Sequence, residues 1–294
     1  MNSMDAAIRK AETLIEALGY IRTFRDRQTV IKLGGSAMED PAALRATLES
    51  VVFLETVGLH PVLIHGGGKP IDRAMAASGL QPKKIQGRRY TDDATLAIVV
   101  RVLTEEVNRD IVRQIRELGG LGVGLHSGSL QALVGERLTL DGANGEKIDL
   151  GRVGQVTQVD TALIADFARA GVVPVIPSLA YDEAGGWLNI NADTAAAAVA
   201  AQMKAAKLVL LTDTPGILRD KTDPSSLITS VTTAECLQLI RDKVIDSGMI
   251  PKVEACLAAL KSGVSQIHII DGRLRHSLLL EIFTDKGIGT EIVL

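Results

Sequence analysis

Two patterns of apolar residues replace one another along this chain. Short, nearly unbroken apolar runs occur at Val30-Ile31-Lys32-Leu33, Pro61-Val62-Leu63-Ile64, Val172-Val173-Pro174-Val175-Ile176, Leu208-Val209-Leu210-Leu211 and Ile267-His268-Ile269-Ile270. Runs of this length without polar alternation predict strands buried on both faces, as in a parallel sheet. Between them the apolar positions take helical spacing. Met4, Ile8, Ala11, Ile15 and Leu18 form one stripe; Leu96, Val99, Val100, Leu103, Val107 and Ile111 form another, within residues 92–118. Further helices are expected over 41–57, 71–78, 161–170, 195–201, 233–242, 253–261 and 277–283. Strands and helices in alternation predict an α/β fold around an open, mostly parallel sheet. Residues 121–160 instead alternate short apolar runs with glycines and charges, as hairpins do. The first helix precedes the first strand, and Gly19-Tyr20 predicts its end or a kink. Its apolar stripe must be covered by its own domain or by another subunit.

The strand ends carry the candidate chemistry. Lys32 lies inside an apolar strand, where an ammonium group is costly unless it reaches an anion or water. Gly34-Gly35 follows it at once. The next strand ends in His65-Gly66-Gly67-Gly68, directly before a helix. Glycines there leave backbone N–H groups free to close on an anion, and the helix N-terminus adds positive potential. Ligands of open α/β sheets bind beyond the carboxyl ends of the strands, so both loops fall on one edge. The G-x-x-x-x-G-K-[ST] and G-x-G-x-x-G spacings are absent, which argues against a Walker A loop and a dinucleotide oxidoreductase.

Three further stretches could complete the site. Residues 87–91 read as a basic hairpin tip, and the pattern leaves open whether Arg88 or Arg89 points inward. Asn189, Asn191 and Asp193 alternate, so an extended stretch would present them on one face. Lys252 opens a helix, the electrostatically wrong end for a cation, and calls for an anion or solvent beside it. Thr214-Pro215-Gly216-Ile217-Leu218 follows the strand that ends at Thr212-Asp213 and forms another loop at a carboxyl end, suited to a nucleotide.

Composition removes several alternatives. Aromatic residues make up 3% of the chain and net charge is -3, so single-stranded nucleic acid and acidic membranes are not expected partners. Hydrophobic residues at 46% supply an aliphatic core, yet no run is long enough to span a bilayer. Asp5, Glu12 and Glu16 argue against a transit peptide, and the region lacks the apolar core of a signal peptide. Cys236 and Cys256 match no metal or redox spacing and suit a reducing cytoplasm as buried thiols.

Taken together, Lys32-Leu33-Gly34-Gly35, His65-Gly66-Gly67-Gly68, residues 87–91, Asn189-Ile190-Asn191-Ala192-Asp193, residues 212–218 and Gly248 to Lys252 resemble the amino acid kinase family. The resemblance runs from about Thr29 to the C-terminus. It implies an open αβα sandwich with a mostly parallel central sheet, two lobes and an N-terminal helix. The implied divisions are an oligomerisation helix over 1–28, an acceptor-binding lobe over 29–206 and an ATP-binding lobe over 207–294. Within the family the likeness is to the branch that phosphorylates the γ-carboxylate of N-acetyl-L-glutamate in arginine biosynthesis. The resemblance assigns phosphoryl stabilisation to Lys32 and Lys252, with Asp193 holding both. It assigns Gly67, Gly68, Arg89 and Asn189 to the acceptor, and Gly34, Gly35, Asp213, Gly216 and Met249 to ATP, which carries Mg²⁺. No protein-held metal is implied. The C-terminal run from His268 through Phe283 and Asp285 resembles an arginine-sensitive branch. It nominates Tyr20, Lys221, His268, Glu281 and Gly287 for L-arginine, implies a hexamer built as a trimer of dimers, and makes a PII-type signal protein a candidate partner. Leu125-His126-Ser127-Gly128-Ser129 and Thr214-Pro215 depart from the family's usual residues. The competing reading from another class is a non-catalytic arginine-binding scaffold, against which stand Lys32, Asp193 and Lys252.

Overall fold

A computed structural model of the chain describes residues 3–86, 88–142, 145–245, 248–284 and 287–294. Gly87 of the basic hairpin tip, Ser247 ahead of Lys252 and Asp285 of the C-terminal run lie outside the described residues. The chain opens with α1 (Ser3–Phe24), β1 (Gln28–Leu33), α2 (Pro41–Thr56), β2 (His60–His65) and α3 (Gly68–Ala77). A small hairpin of β3 (Lys84–Ile85) and β4 (Arg88–Arg89) leads into one long helix. That helix consists of α4 (Asp93–Arg101), a π-helical stretch (Val102–Asn108) and α5 (Arg109–Glu117). Then follow β5 (Gly122–Gly124), β6 (Leu133–Asp141), β7 (Lys147–Val159), α6 (Thr161–Arg169), β8 (Val173–Pro177), β9 (Leu179–Tyr181) and β10 (Trp187–Ile190). The remainder is α7 (Ala192–Met203), β11 (Lys207–Thr212), β12 (Ser230–Thr232), α8 (Thr233–Arg241), α9 (Ile250–Lys261), β13 (Gln266–Asp271), α10 (Ser277–Ile282) and β14 (Thr290–Val293).

Eight strands form the central sheet in the order β12-β14-β13-β11-β1-β2-β8-β5. All neighbours are parallel except β13 and β14. The unbroken apolar runs are explained by burial on both faces. Val30, Val62, Ile64, Leu208 and Leu210 pack on the side of α6, α7 and α9, while Ile31, Leu33, Leu63, Val209 and Leu211 pack on the side of α2, α5 and α10. Each of these side chains contributes about 1.5–3 kcal/mol by leaving water. The four strands β6, β7, β9 and β10 close a small barrel beside the sheet, consistent with the hairpins expected over 121–160.

Three sequence expectations need correction. First, α1 neither ends nor breaks at Gly19 but runs on to Phe24. Its last turns are anchored: Tyr20 meets Phe283 edge-on at 6.2 Å, and the Phe24 ring lies 4.6 Å from Lys207 Nζ. Those contacts outweigh a glycine penalty of about 1 kcal/mol. Second, the helix over 92–118 contains a π-helical stretch that the apolar spacing did not indicate. Third, Asn189, Asn191 and Asp193 do not share an extended strand. Strand β10 ends at Ile190, Asn191 caps α7, and Asp193 is the second residue of that helix. The buried cysteines conform to expectation: both are enclosed, and burial pushes the Cys236 thiol up to about 11 and raises Cys256 further.

Candidate functional site

Because side chains alternate along a strand, Lys32 leaves β1 on the same face as Val30, towards α7. The second residue of α7 is Asp193, and its carboxylate is shared between two lysines. Lys32 Nζ lies 2.9 Å from Oδ1, and Lys252 Nζ, from the first turn of α9, lies 2.7 Å from Oδ2. Asp193 is thus the anion that the misplaced helix-start lysine required. Burial alone would raise the Asp193 pKa, but the two ammonium groups hold it well below the usual carboxylate range. Burial in turn lowers the pKa of Lys32, more than Asp193 restores. Asn191 Oδ1 accepts from the N–H groups of Asp193 at 2.9 Å and Thr194 at 3.2 Å, which fixes the start of α7 and with it the carboxylate.

Gly34 is required by this arrangement, since a Cβ there would collide with Lys32 Nζ. Gly35 follows with φ +66°, a conformation that glycine adopts without strain. Opposite, Gly66 spends its N–H on Leu33 O at 3.2 Å. Gly67 caps α3 without any side chain, so the first N–H groups of that helix face a cavity of about 570 Å³. Lys32, Gly34, Gly35, Gly67, Gly68, Arg89, Asn189, Asp193 and Asp213 all line it. Arg88 lines it too, and Arg89 is held by neighbouring side chains and backbone. Its guanidinium donates to Asp72 Oδ1 at 2.5 Å and to Gly68 O at 3.3 Å. Asn189 Nδ2 donates to Thr91 Oγ1 at 3.0 Å. Lys69 of α3 pairs with Glu39 across the cavity rim.

Gly216 and Met249 are not among the cavity-lining residues. Gly216 is buried at φ +150°, against Thr290 and Leu227, so its absence of a side chain serves packing. Met249 precedes α9 and packs partly buried beside the core.

A second buried network lies at the other end of the strands. His268 Nδ1 meets Glu281 Oε1 at 2.6 Å, while Glu281 Oε2 accepts from the N–H groups of Ile288 at 2.7 Å and Gly289 at 3.2 Å. Burial opposes the Glu281 charge, and these donors more than offset it, keeping its pKa low. Gly287, at φ +57°, passes close to the same carboxylate. Tyr20 joins this neighbourhood through Phe283, whereas Lys221 stands exposed in the loop after β11.

Sequence reasoning missed Asp72, Lys207, and the pairing of His65 with Asn108. Lys207 is nearly buried, 3.3 Å from His268 Nε2. Like Lys32 it is a lysine on an apolar strand, so the argument applied to Lys32 could have found it. His65 is fully buried: its Nε2 lies 3.0 Å from Asn108 Nδ2 and its Nδ1 3.1 Å from Gly66 O. Burial pushes its pKa down to about 4, so the ring is neutral, with Nδ1–H donating and Nε2 accepting.

Two glycine loops at one sheet edge, with two ammonium groups organised by one carboxylate between them, define a site for a doubly anionic reaction partner, the class to which phosphoryl-transfer enzymes belong. The amino acid kinase family model matches residues 27–271, and the chain belongs to that family. Among similar proteins is acetylglutamate kinase of Heliobacterium modesticaldum, 46% identical over 98% of this chain and 99% of the relative. N-acetylglutamate synthase of Neisseria gonorrhoeae, solved with coenzyme A and N-acetyl-glutamate, superposes with TM-score 0.84 at 28% identity. That match covers 97% of this chain and 63% of the synthase, so the chain spans less than two thirds of that protein's length. The same synthase solved with coenzyme A and L-arginine matches with TM-score 0.80 at 27% identity, over 96% of this chain and 65% of the synthase.

Proposed function

We propose that this kinase transfers the γ-phosphoryl group of ATP to the γ-carboxylate of N-acetyl-L-glutamate in arginine biosynthesis. The carrying observation is the Lys32–Asp193–Lys252 bridge set between the two glycine loops. An acceptor carboxylate oxygen attacks the γ-phosphorus, the bond to the β,γ-bridging oxygen breaks, and ADP leaves with that electron pair. The product is an acyl phosphate. A carboxylate with an ordinary pKa near 4.3 is already ionised at neutral pH, so no general base is needed. The work left to the protein is positioning and neutralising charge. Lys32 and Lys252 meet the transferring group, and Asp193 keeps the two cations from driving each other apart. Gly34, Gly35, Asp213, Gly216 and Met249 serve ATP; Gly67, Gly68, Arg89 and Asn189 serve the acceptor.

The donor set suits phosphate rather than a protein-held metal: among the described residues no three His, Cys, Asp or Glu side chains cluster as ligands. Mg²⁺ would ride on ATP oxygens and neutralise phosphate charge there. Trapping the product with hydroxylamine should give a hydroxamate with N-acetyl-L-glutamate. Turnover only with aspartate, glutamate or an aminoadipate derivative would move the enzyme to a sister activity.

The same reading extends to regulation and assembly. Residues 29–206 form the acceptor lobe, 207–294 the ATP lobe, and 1–28 an oligomerisation helix. L-Arginine inhibits by binding near Tyr20, His268, Glu281 and Gly287, with Lys221 contributing from its loop. The arginine-bound synthase supports this. Met4, Leu14 and Ile15 are 63%, 68% and 71% exposed, an apolar stripe suited to another subunit in a hexamer of three dimers. A PII-type signal protein is a candidate partner in the cytoplasm. No described helix is long and apolar enough to cross a membrane. Deleting residues 1–24 should leave dimers in sedimentation experiments; a truncated chain that still sediments as a hexamer refutes that role for α1.

A further inference from the structure

The π-helical stretch Val102–Asn108 lies directly behind the acceptor glycine loop. At one end, Leu103 is so close to Gly67 that a Cβ on the glycine would lie 2.7 Å from Leu103 Cδ2. At the other, Asn108 is buried and its Nδ2 donates twice, to His65 Nε2 at 3.0 Å and to Val175 O in β8 at 2.9 Å. His65 passes the restraint on through Nδ1–H to Gly66 O, and the His65 carbonyl accepts from Ser178 N at 3.0 Å. Gly124 clears the space on the far side, since a Cβ there would collide with Asn108 Oδ1. A π-turn widens a helix locally and shifts the residues that follow it, and such turns recur at functional sites.

We propose that Asn108 is a positioning residue for the acceptor, acting through His65 to hold the peptide planes of Gly66–Gly68, with Leu103 as the apolar stop behind them. Asn108 is not among the residues that line the cavity. It fixes the imidazole, the imidazole fixes the Gly66 carbonyl, and the following N–H groups are left aimed into the cavity. The ATP side, where Gly34, Gly35 and Asp213 follow β1 and β11, meets this loop through the Gly66 N–H bond to Leu33 O, and among the described residues none of the side-chain bonds of Asn108 or His65 reaches it. Asn108 therefore sets affinity for the acceptor and leaves ATP affinity alone. The inference rests on the proposed reading that the His65–Gly68 loop holds N-acetyl-L-glutamate.

The test compares wild type with Asn108→Leu, which keeps the shape and removes both donors, with His65→Leu, which removes both imidazole bonds, and with the double variant. Asn108→Leu should raise KM for N-acetyl-L-glutamate about 10- to 100-fold, as expected of an ångström-scale misplacement. KM for ATP should stay within about twofold, and the double variant should be no worse than the more affected single one, because the two residues form one strut. Leu103→Ala gives the same split and serves if Asn108→Leu does not fold. Equal rises in both KM values, or additive effects in the double variant, overturn the proposal. Hydrogen exchange read on residues 65–69 against β11 is independent of substrate: faster exchange in the loop alone supports the strut, and unchanged exchange overturns it. Absence of wild-type turnover on N-acetyl-L-glutamate would instead overturn the proposed function, and the exchange result still decides the strut.

Discussion

Lys252→Ala is expected to lower kcat by about 10²–10³-fold, the range seen when one preorganised donor to developing charge is removed. The loss should fall on kcat more than on either KM, because the ammonium acts where charge is redistributed during transfer. The fold should survive. Asp193 retains Lys32 at 2.9 Å, and the vacated position lies at the first turn of α9, where the helix dipole disfavours a cation anyway. Asp193→Ala is the contrasting variant. It leaves two ammonium groups converging with no anion between them, one of them on a strand buried on both faces. Breaking a buried ionic cluster from that side costs about 3–5 kcal/mol, so this variant should lose stability as well as turnover. Steady-state kinetics and urea unfolding separate the two outcomes. Near-normal turnover in Lys252→Ala would remove it from the chemistry.

Acid should destabilise the protein through His65. The folded-state pKa of about 4 lies below the unfolded value of 6.5, so the unfolded chain binds the proton more readily between them. Stability is full above pH 6.5 and is lost as pH falls towards 4. The slope is about 1.4 kcal/mol per pH unit and the total about 3 kcal/mol. Burial also lowers the pKa of His126, which adds a smaller loss of the same sign. His65→Gln removes the titration while keeping an oxygen that can accept from Asn108. Urea midpoints of the two proteins, measured from about pH 7.5 to 4, should therefore converge as the solution is acidified. Parallel curves would show that His65 does not titrate as its burial demands.

Much of the fold was legible because parallel strands buried on both faces leave unbroken apolar runs. Every such run became a strand of the central sheet. Both glycine loops were legible as well, since they sit where those runs stop. Lys32 and Lys252 stood out by being electrostatically misplaced, and Asp193 answers both. The π-stretch was illegible for a physical reason. Helical patterning reports which face is apolar on average, and one widened turn shifts that face by a single residue without disturbing the stripe through Val99, Leu103 and Ile111. Nothing in that pattern set Asn108 apart. The continuity of α1 through Gly19 depends on ring contacts with Phe283 and Lys207, both distant in sequence, which no local signal encodes.

The place of β1 in the sheet bears on how the protein is made. Its neighbours are β2, which follows closely in sequence, and β11, whose Lys207 pairs with Thr29 across more than half the chain. During synthesis β1, β2 and β8 can align early, but one flank of β1 stays unpaired until β11 leaves the ribosome. Non-local parallel pairing of this kind is slow, and an open apolar edge invites misassociation meanwhile. Lys32 waits on that same edge strand, with its partner Asp193 of α7 already made and Lys252 of α9 still to come. The phosphoryl-handling centre is therefore completed late in synthesis, after β11 has covered the open flank of β1 and α9 has followed with Lys252.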